Sequence, residues 1–407
     1  MNHIYWITII AITCLSLSCS AAKKQSVPEE TTDMANDVTG EAPQTDASET
    51  KPAPTEQNSG TTATSETAKR SEPCVVPFTH NPIPKEEQRP FILTYETLKP
   101  NRSVGIEYYA TISDSNKEPY PYDFDVDCEM NGEYKNYKYT DRLIKSADIV
   151  CNYEKKGLHQ IAIRGDVPYL KLDVHGELDP RSYDFILRSI DQWGDIRWKR
   201  MSFLLAVERG GKYNPHTKDT NYPELKAKDT PDLRDVCDMS AMFSNNEPFN
   251  ADISSWDVSH IEDMFNLFDG CAKFNQDISK WNVSRVKYMG SMFKDCSSFN
   301  QDLSNWDVSN VISMNRMFEK ATSFNQDISK WDVSNVQYMS GMFDGATSFN
   351  QDISQWDISS LLMVDDMFRS NDNDKAICEK CEGFRQKVLQ KNASLPPKSP
   401  KLLFDIP

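Results

Sequence analysis

Cysteine, aspartate, tryptophan and histidine are the residues of this 407-residue chain whose spacing bears on chemistry. Cys14 and Cys19 stand near the N-terminus. Cys74, Cys128, Cys151, Cys237, Cys271, Cys296, Cys378 and Cys381 remain, an even number. In an exported protein that parity points to disulfides. Cys378 and Cys381 form a lone Cys-x-x-Cys. With no second pair, the expectation is a local disulfide near the C-terminus and not zinc. The six histidines are mostly scattered, which leaves little material for a triad or a metal cluster. There is no Gly-x-Ser-x-Gly, no phosphate-binding glycine loop and no His-Glu-x-x-His. The expectation is a chain that is not an enzyme and holds no cofactor or metal. What does recur every 25 residues is a column of aspartate and a column of tryptophan.

The elements that position those residues show when the chain is written in rows of 25 from Phe249. Phe249, Phe274, Phe299, Phe324 and Phe349 align, as do Asp252, Asp277, Asp302, Asp327 and Asp352. Trp256, Trp281, Trp306, Trp331 and Trp356 form a third column, and Met264, Met289, Met314 and Met339 a fourth. Met-Phe pairs run from Met242-Phe243 to Met367-Phe368, with Leu267-Phe268 taking one slot. A fixed period of this size means a solenoid whose rungs bury each other's faces. In one half of a row, Val311, Met314, Met317, Phe318 and Ala321 have the spacing of a short helix or 3₁₀ segment. The other half, Phe-Asn-Gln-Asp-Ile-Ser-x-Trp-Asp-Val-Ser, suits a strand and a turn. One strand and one helical turn per rung predict an α/β leucine-rich-repeat-like solenoid, with rungs about 4.8 Å apart.

Stacking decides what each column can do. A tryptophan present in every rung is core rather than an aromatic platform for glycans. Stacked carboxylates repel by on the order of 1 kcal/mol even in water. The Asp column therefore needs compensation, from backbone amides at each corner or from bridging Ca²⁺. Cys271 and Cys296 share a column that Ala321 and Ala346 fill later. They are placed for a disulfide between rungs or for two small buried thiols. The columns that change are surface. Asp263, Tyr288, Ser313, Tyr338 and Met363 occupy one, and Glu262, Lys287, Ile312, Gln337 and Leu362 the column before it. Tyr288, Ile312, Tyr338, Leu362 and Met363 thereby form a candidate binding stripe, unless they pack against the C-terminal cap.

The stretches Phe324 to Val336 and Met342 to Asp352 resemble the BspA-type bacterial surface repeat family, and the likeness covers roughly residues 230–368. Ser189 to Trp198 resembles the junction that often precedes this repeat. The resemblance implies a leucine-rich-repeat-like solenoid on a cell surface or lipoprotein, adhesin-like in role and without catalysis.

Upstream the apolar pattern changes to period two. Val104, Ile106, Tyr108 and Ala110 alternate, as do Phe124, Val126 and Cys128, then Ile161 and Ile163, then Leu170, Leu172 and Val174. With turn residues between them, these runs predict a β-sandwich over residues 73–178. Lys155 to Gly165 resembles the end of a PKD-type immunoglobulin-like domain. Asp127 to Gly132 stands where that family carries Trp-Gly-Asp-Gly. In such a fold the strands bearing Cys128 and Cys151 come together, and a disulfide between them is expected.

Ile4 to Leu17 are nearly all apolar or small, a length that suits a signal-peptide core better than a membrane span. Leu15 to Cys19 resembles a lipobox, which makes Cys19 the lipidated residue at the end of a 1–19 leader. The alternative is a signal anchor, opposed by Lys23 and Lys24. By the sorting habit of such lipoproteins, Ser20 permits the outer membrane. Residues 20–72 are rich in Thr, Ser, Glu and Pro and read as a disordered linker. The remaining spans are a junction with an N-terminal solenoid cap (179–230), the solenoid (231–370), and a C-terminal cap and tail (371–407) with a short helix at 375–391. A net charge of −16 and a pI near 4.9 argue against nucleic acid. The expected whole is a multi-domain, surface-exposed protein of the outer membrane, attached through its lipid only, with the periplasmic face as a variant. It would bind a protein or glycan ligand. The alternative is a self-associating scaffold of the envelope.

Overall fold

The computed structural model describes residues 81–109, 122–138, 146–167, 169–172, 185–198, 200–202, 204–207, 222–369 and 378–395. The leader with Cys19, the linker at 20–72 and Cys74 lie outside the described residues.

Alternating apolar residues build two sheets. The larger has the strand order β4-β3-β6-β1-β8-β9, from β1 (Phe91–Thr97), β3 (Asp123–Asp127), β4 (Lys135–Lys138), β6 (Gly157–Asp166), β8 (Phe185–Gln192) and β9 (Glu224–Leu225). The smaller has the order β5-β2-β7, from β2 (Arg102–Tyr109), β5 (Ser146–Tyr153) and β7 (Tyr169–Lys171). β1 is central, with Leu93 opposite Ile161 on β6 and Ile190 on β8. On β2 alternate residues, Val104 and Ile106, are buried, whereas β1 buries Leu93, Thr94 and Tyr95 in succession and β6 buries Ile161, Ala162 and Ile163. Cys128, just past β3, is disulfide-bonded to Cys151 on β5, so one bond ties the two sheets together.

The boundary expected at residue 178 moves. β8 pairs with β1 along its whole length, so the larger sheet continues to Gln192. Beyond it Trp193 and Trp198 are fully buried. Trp193 lies 5.7 Å from Phe91 and 5.4 Å from Trp256, so one apolar core runs from the sheet into the first repeat.

From Asp238 onward the chain forms a stack of 25-residue rungs. Single parallel bridges join Asp238, Asp263, Tyr288, Ser313, Tyr338 and Met363 in succession. The rung was expected to hold a helical turn in its Met-Met-Phe half and a strand in its Phe-Asn-Gln-Asp half. The structure reverses and simplifies this. The bridges lie in the Met-Met-Phe half, and this half is not helical. Its amides alternate. Those of Met264, Asn266, Phe268 and Gly270 reach the carbonyls of Tyr288, Gly290, Met292 and Lys294 in the next rung. Those of Leu267, Asp269 and Cys271 close tight turns on residues three earlier. Asn266, Ser291, Arg316 and Asp366 take positive φ, as do Gly270, Asp295 and Lys320. A left-handed residue every fourth position ends a helix before it starts. The Phe-Asn-Gln-Asp half is two consecutive turns, closed in the third rung by Trp306 on Leu303 and Val311 on Val308.

The stack also begins earlier than its period shows. The amides of Met201, Leu205 and Val207 bond to Asp238, Met242 and Ser244, as the amides of Met239 and Phe243 bond to Asp263 and Leu267. Residues 201–207 thus supply half a rung ahead of the first full one. At the other end a 3₁₀ turn (Glu379–Cys381) leads into α1 (Glu382–Ser394), which covers the last rung. Phe384 and Val388 are buried, and Phe384 meets Trp356 edge-on at 6.1 Å. The Lys387 ammonium donates to the Ser354 and Trp356 carbonyls, and that of Lys391 to Ile358, Ser359 and Leu361. These two side chains satisfy carbonyls that lack a further rung. No helix among the described residues is long and apolar enough to cross a membrane.

Candidate binding surface

The columns that never change are used up inside the stack. Phe243, Phe268, Phe293, Phe318, Phe343 and Phe368 form one file, with successive ring centroids 5.6–5.8 Å apart. Each buried phenylalanine contributes about 1.5–3 kcal/mol. The tryptophans are at most 5 % exposed. Their indole N–H groups donate backwards one rung, from Trp281 to Ile253, Trp306 to Ile278, Trp331 to Leu303 and Trp356 to Ile328, at 2.9–3.2 Å. Such rings are core and present no face to a glycan.

Beside them runs a ladder of amides that the aspartate argument did not single out. Asn250, Asn275, Asn300 and Asn325 each accept, through the side-chain oxygen, the amide N–H of the asparagine one rung on, at 2.9 Å. Asn350 does the same for Lys380 of the cap, at 3.0 Å. The following glutamines donate to the same asparagines' carbonyls. The identity of these residues in successive rows was the available signal.

The aspartates cap their own corners. Asp252, Asp277, Asp302, Asp327 and Asp352 each accept the amide of the serine two residues on, at 2.8–3.0 Å. These serine hydrogen bonds hold the Asp252, Asp277, Asp327 and Asp352 carboxyls below the ordinary carboxylate range. Amide capping, one of the two compensations considered, is therefore present. Among the described residues no three His, Cys, Asp or Glu side chains converge as a metal site would require.

The cysteines divide. Cys128–Cys151 and Cys378–Cys381 are disulfides, and Cys237 is also disulfide-bonded. Cys271 and Cys296 are not bridged, which corrects the inter-rung disulfide considered for them. Each thiol donates instead to a carbonyl of the preceding rung, Cys271 to Phe243 and Cys296 to Phe268, at 3.0 Å. Full burial pushes both thiols well up from their ordinary pKa.

The stripe of changing residues is only partly a surface. Leu362 is 54 % exposed and Met363 37 %, while Tyr288 and Ile312 are half-buried. Tyr338 is buried, which removes it from the expected stripe. It sits between Ser313 and Met363 on the bridge ladder. The alternative of cover by the C-terminal helix does not hold for Leu362, since α1 lies over Trp356 and Phe368.

Two neighbours of the stripe escaped the sequence reading. Phe265 lies half-buried across Gly290, where an added Cβ would come within 2.9 Å of its ring. Asp269, Lys294, Glu319, Asp344 and Arg369 share another column. Lys294 is almost buried, with its ammonium 3.5 Å from Glu319 and 3.8 Å from Asp269. Arg369 pairs with Asp344 at 2.8 Å. Burial pushes the Asp344 carboxyl up, and Arg369 opposes that. The five residues differ in type, so the column did not stand out in a search for identity.

The class these features define is a protein of stacked, mutually bonded 25-residue rungs. Two overlapping stretches, residues 216–317 and 296–380, match the family described as Mycoplasma protein of unknown function, DUF285. No curated protein and no solved structure matches the chain.

Proposed function

We propose that this chain is an exported, lipid-anchored envelope protein that binds a protein or glycan ligand through a leucine-rich-repeat-like solenoid of BspA type. The two sheets form an immunoglobulin-like β-sandwich of PKD type, and Cys19 carries the lipid. The observation that carries the binding role is the division of labour among columns. Phenylalanine, tryptophan, asparagine and aspartate are consumed in holding rungs together, so residues that vary are left to meet a partner. Leu362 and Met363, with half-buried Ile312 and Tyr288, are where we expect it to dock. Exposed apolar residues flanked by charge, here Glu262, Lys287 and Arg285, are a common interface composition.

The test is protease treatment of intact cells, with the repeat region followed by immunoblot. Loss of the band while a periplasmic control survives would support a surface position and ligand capture. Survival until the outer membrane is broken would favour a periplasmic scaffold, provided the released protein is cleavable. Sedimentation across a concentration series separates a monomeric binder from a self-associating scaffold.

A further inference from the structure

A groove in the two-sheet region lies away from the repeats. β1 starts at Phe91, packed on Trp193 and Trp198 where the stack begins, and ends at Thr97 opposite Gly157. The groove opens at this second end and encloses about 810 Å³. Three segments wall it: the start of β2, the loop after β3, and the turn from β5 into β6.

Its floor is held from both sheets. The Tyr153 ring stacks on His159 at 3.8 Å, and its hydroxyl donates to the Cys128 carbonyl at 2.7 Å. Cys128 is itself bonded to Cys151. A site fixed in this way loses little entropy when a ligand arrives.

Its chemistry narrows the ligand. The lining carries two cations, Arg102 and Lys155, and two anions, Glu129 and Glu154, so its net charge favours neither an anion nor a cation. The Asn152 side-chain oxygen already accepts from Ser103 and the Gln160 nitrogen donates to Asp191 at 3.2 Å, so Asn152 offers a ligand its nitrogen and Gln160 its oxygen. Besides the Tyr153 ring of the floor, apolar contributions come from Leu158, 68 % exposed, and Met130, 42 % exposed, both reaching into solvent. Sites for apolar small molecules are lined mainly by apolar and aromatic side chains, and this one is not. The matching ligand is neutral, ringed by hydroxyls that can donate to the carboxylates and the Gln160 oxygen and accept from the Asn152 nitrogen, and apolar on its C–H faces. Those are the properties of a sugar ring. We propose that this groove binds a neutral oligosaccharide, as a second contact surface independent of the repeat stack. Two sites on one chain would raise its hold on a surface that offers both ligands.

The test is isothermal titration of the full chain with neutral tetrasaccharides of glucose, xylose, mannose and N-acetylglucosamine, with tetra-alanine as counter-probe. At least one sugar should give saturable heat. Gln160→Ala and Glu154→Ala should each weaken it by about tenfold, the effect of a lost hydrogen bond to ligand, without moving the thermal midpoint. Leu362→Asp, on the repeat stack, should leave sugar binding unchanged. The proposal falls if no sugar gives saturable heat, if the peptide binds in its place, or if sugar binding survives both groove substitutions.

Discussion

In the repeat stack a side chain is held by copies of itself one rung above and below. In the two-sheet region each buried residue has a unique set of neighbours. Phe293 packs between Phe268 and Phe318 at 5.7 and 5.6 Å, and the next rung repeats that arrangement. Phe91 packs on Trp193 and Trp198 in a pattern used once. The stack distributes its cohesion over many equivalent bonds, whereas the sheets rely on a covalent link between Cys128 and Cys151. The comparison teaches that redundancy and cross-linking are two routes to the same rigidity. They should fail differently.

The largest expected loss comes from breaking the file of rings at its centre. Phe318→Ala removes a fully buried ring that touches two rungs, and should cost about 3–5 kcal/mol in denaturant unfolding. The same change at Phe368, which has one rung neighbour and the cap, should cost less. Equal losses would mean that rungs do not support each other. Next comes the link between the sheets. Cys151→Ser opens a loop of sequence separation 23 and should cost about 3 kcal/mol. If the stack unfolds together with the sheets in that variant, by circular dichroism and by tryptophan fluorescence alike, the shared core at Trp193 couples them. Two separate transitions would show that the coupling is weak.

A smaller loss should follow from the asparagine ladder. Asn300→Ala leaves the Asn325 amide without its acceptor and removes the side-chain oxygen that Gln326 also uses. Both groups lie near the surface, where water replaces the lost partner, so about 1 kcal/mol is expected. An unchanged midpoint would reduce the ladder to a by-product of stacking.

How much of this was legible follows the same division. Period and column identity are visible in a sequence, so the stacked rungs and the buried tryptophans could be read directly, while the Asp column was left between amide capping and bridging Ca²⁺. The short helix or 3₁₀ segment expected in each rung is replaced by single turns bonded back three residues, because the 3-3-1-3 spacing is also that of turns bonded across rungs. The positive φ at Asn266, Ser291 and Arg316 separates the two, and serine and arginine do not announce it, although asparagine favours that region. The half rung at residues 201–207 was hidden because it precedes Asp238 by more than one period. In the sheets no internal copy exists for comparison. β1 and β8 were missed because Phe91–Thr97 and Phe185–Gln192 carry apolar residues on both faces, as central strands do, and so lack clean alternation. The binding stripe was read from variability alone, which reports that a residue is not needed for stacking, and not that it is exposed. Tyr338 shows the gap between the two.

The smallest expected effect is the one that separates charge from geometry in the Asp column. Asp252, Asp277, Asp327 and Asp352 titrate below their ordinary range because serine hydrogen bonds favour the ionised form. A depressed folded pKa means stability that is present above the unfolded value, about 3.9, and lost as pH falls through the folded one. The chain already holds a control. Asn282 stands in the second corner column, where Asp257, Asp307, Asp332 and Asp357 stand in other rungs, and it still accepts the Ser284 amide at 3.2 Å. An amide oxygen can therefore cap the corner without charge. Replacing the four aspartates by asparagine should leave the thermal midpoint near pH 7 almost unchanged. The same variant should lose less stability than the parent between pH 4 and pH 2. If both proteins lose stability in parallel on acidification, the acid sensitivity belongs to groups the variant keeps, such as Asp257, Asp332 and Asp357 of the second corner column or the pair of Lys85 with Asp125. If the variant is already weaker at neutral pH, the carboxylate's charge and not merely its oxygen holds the corner.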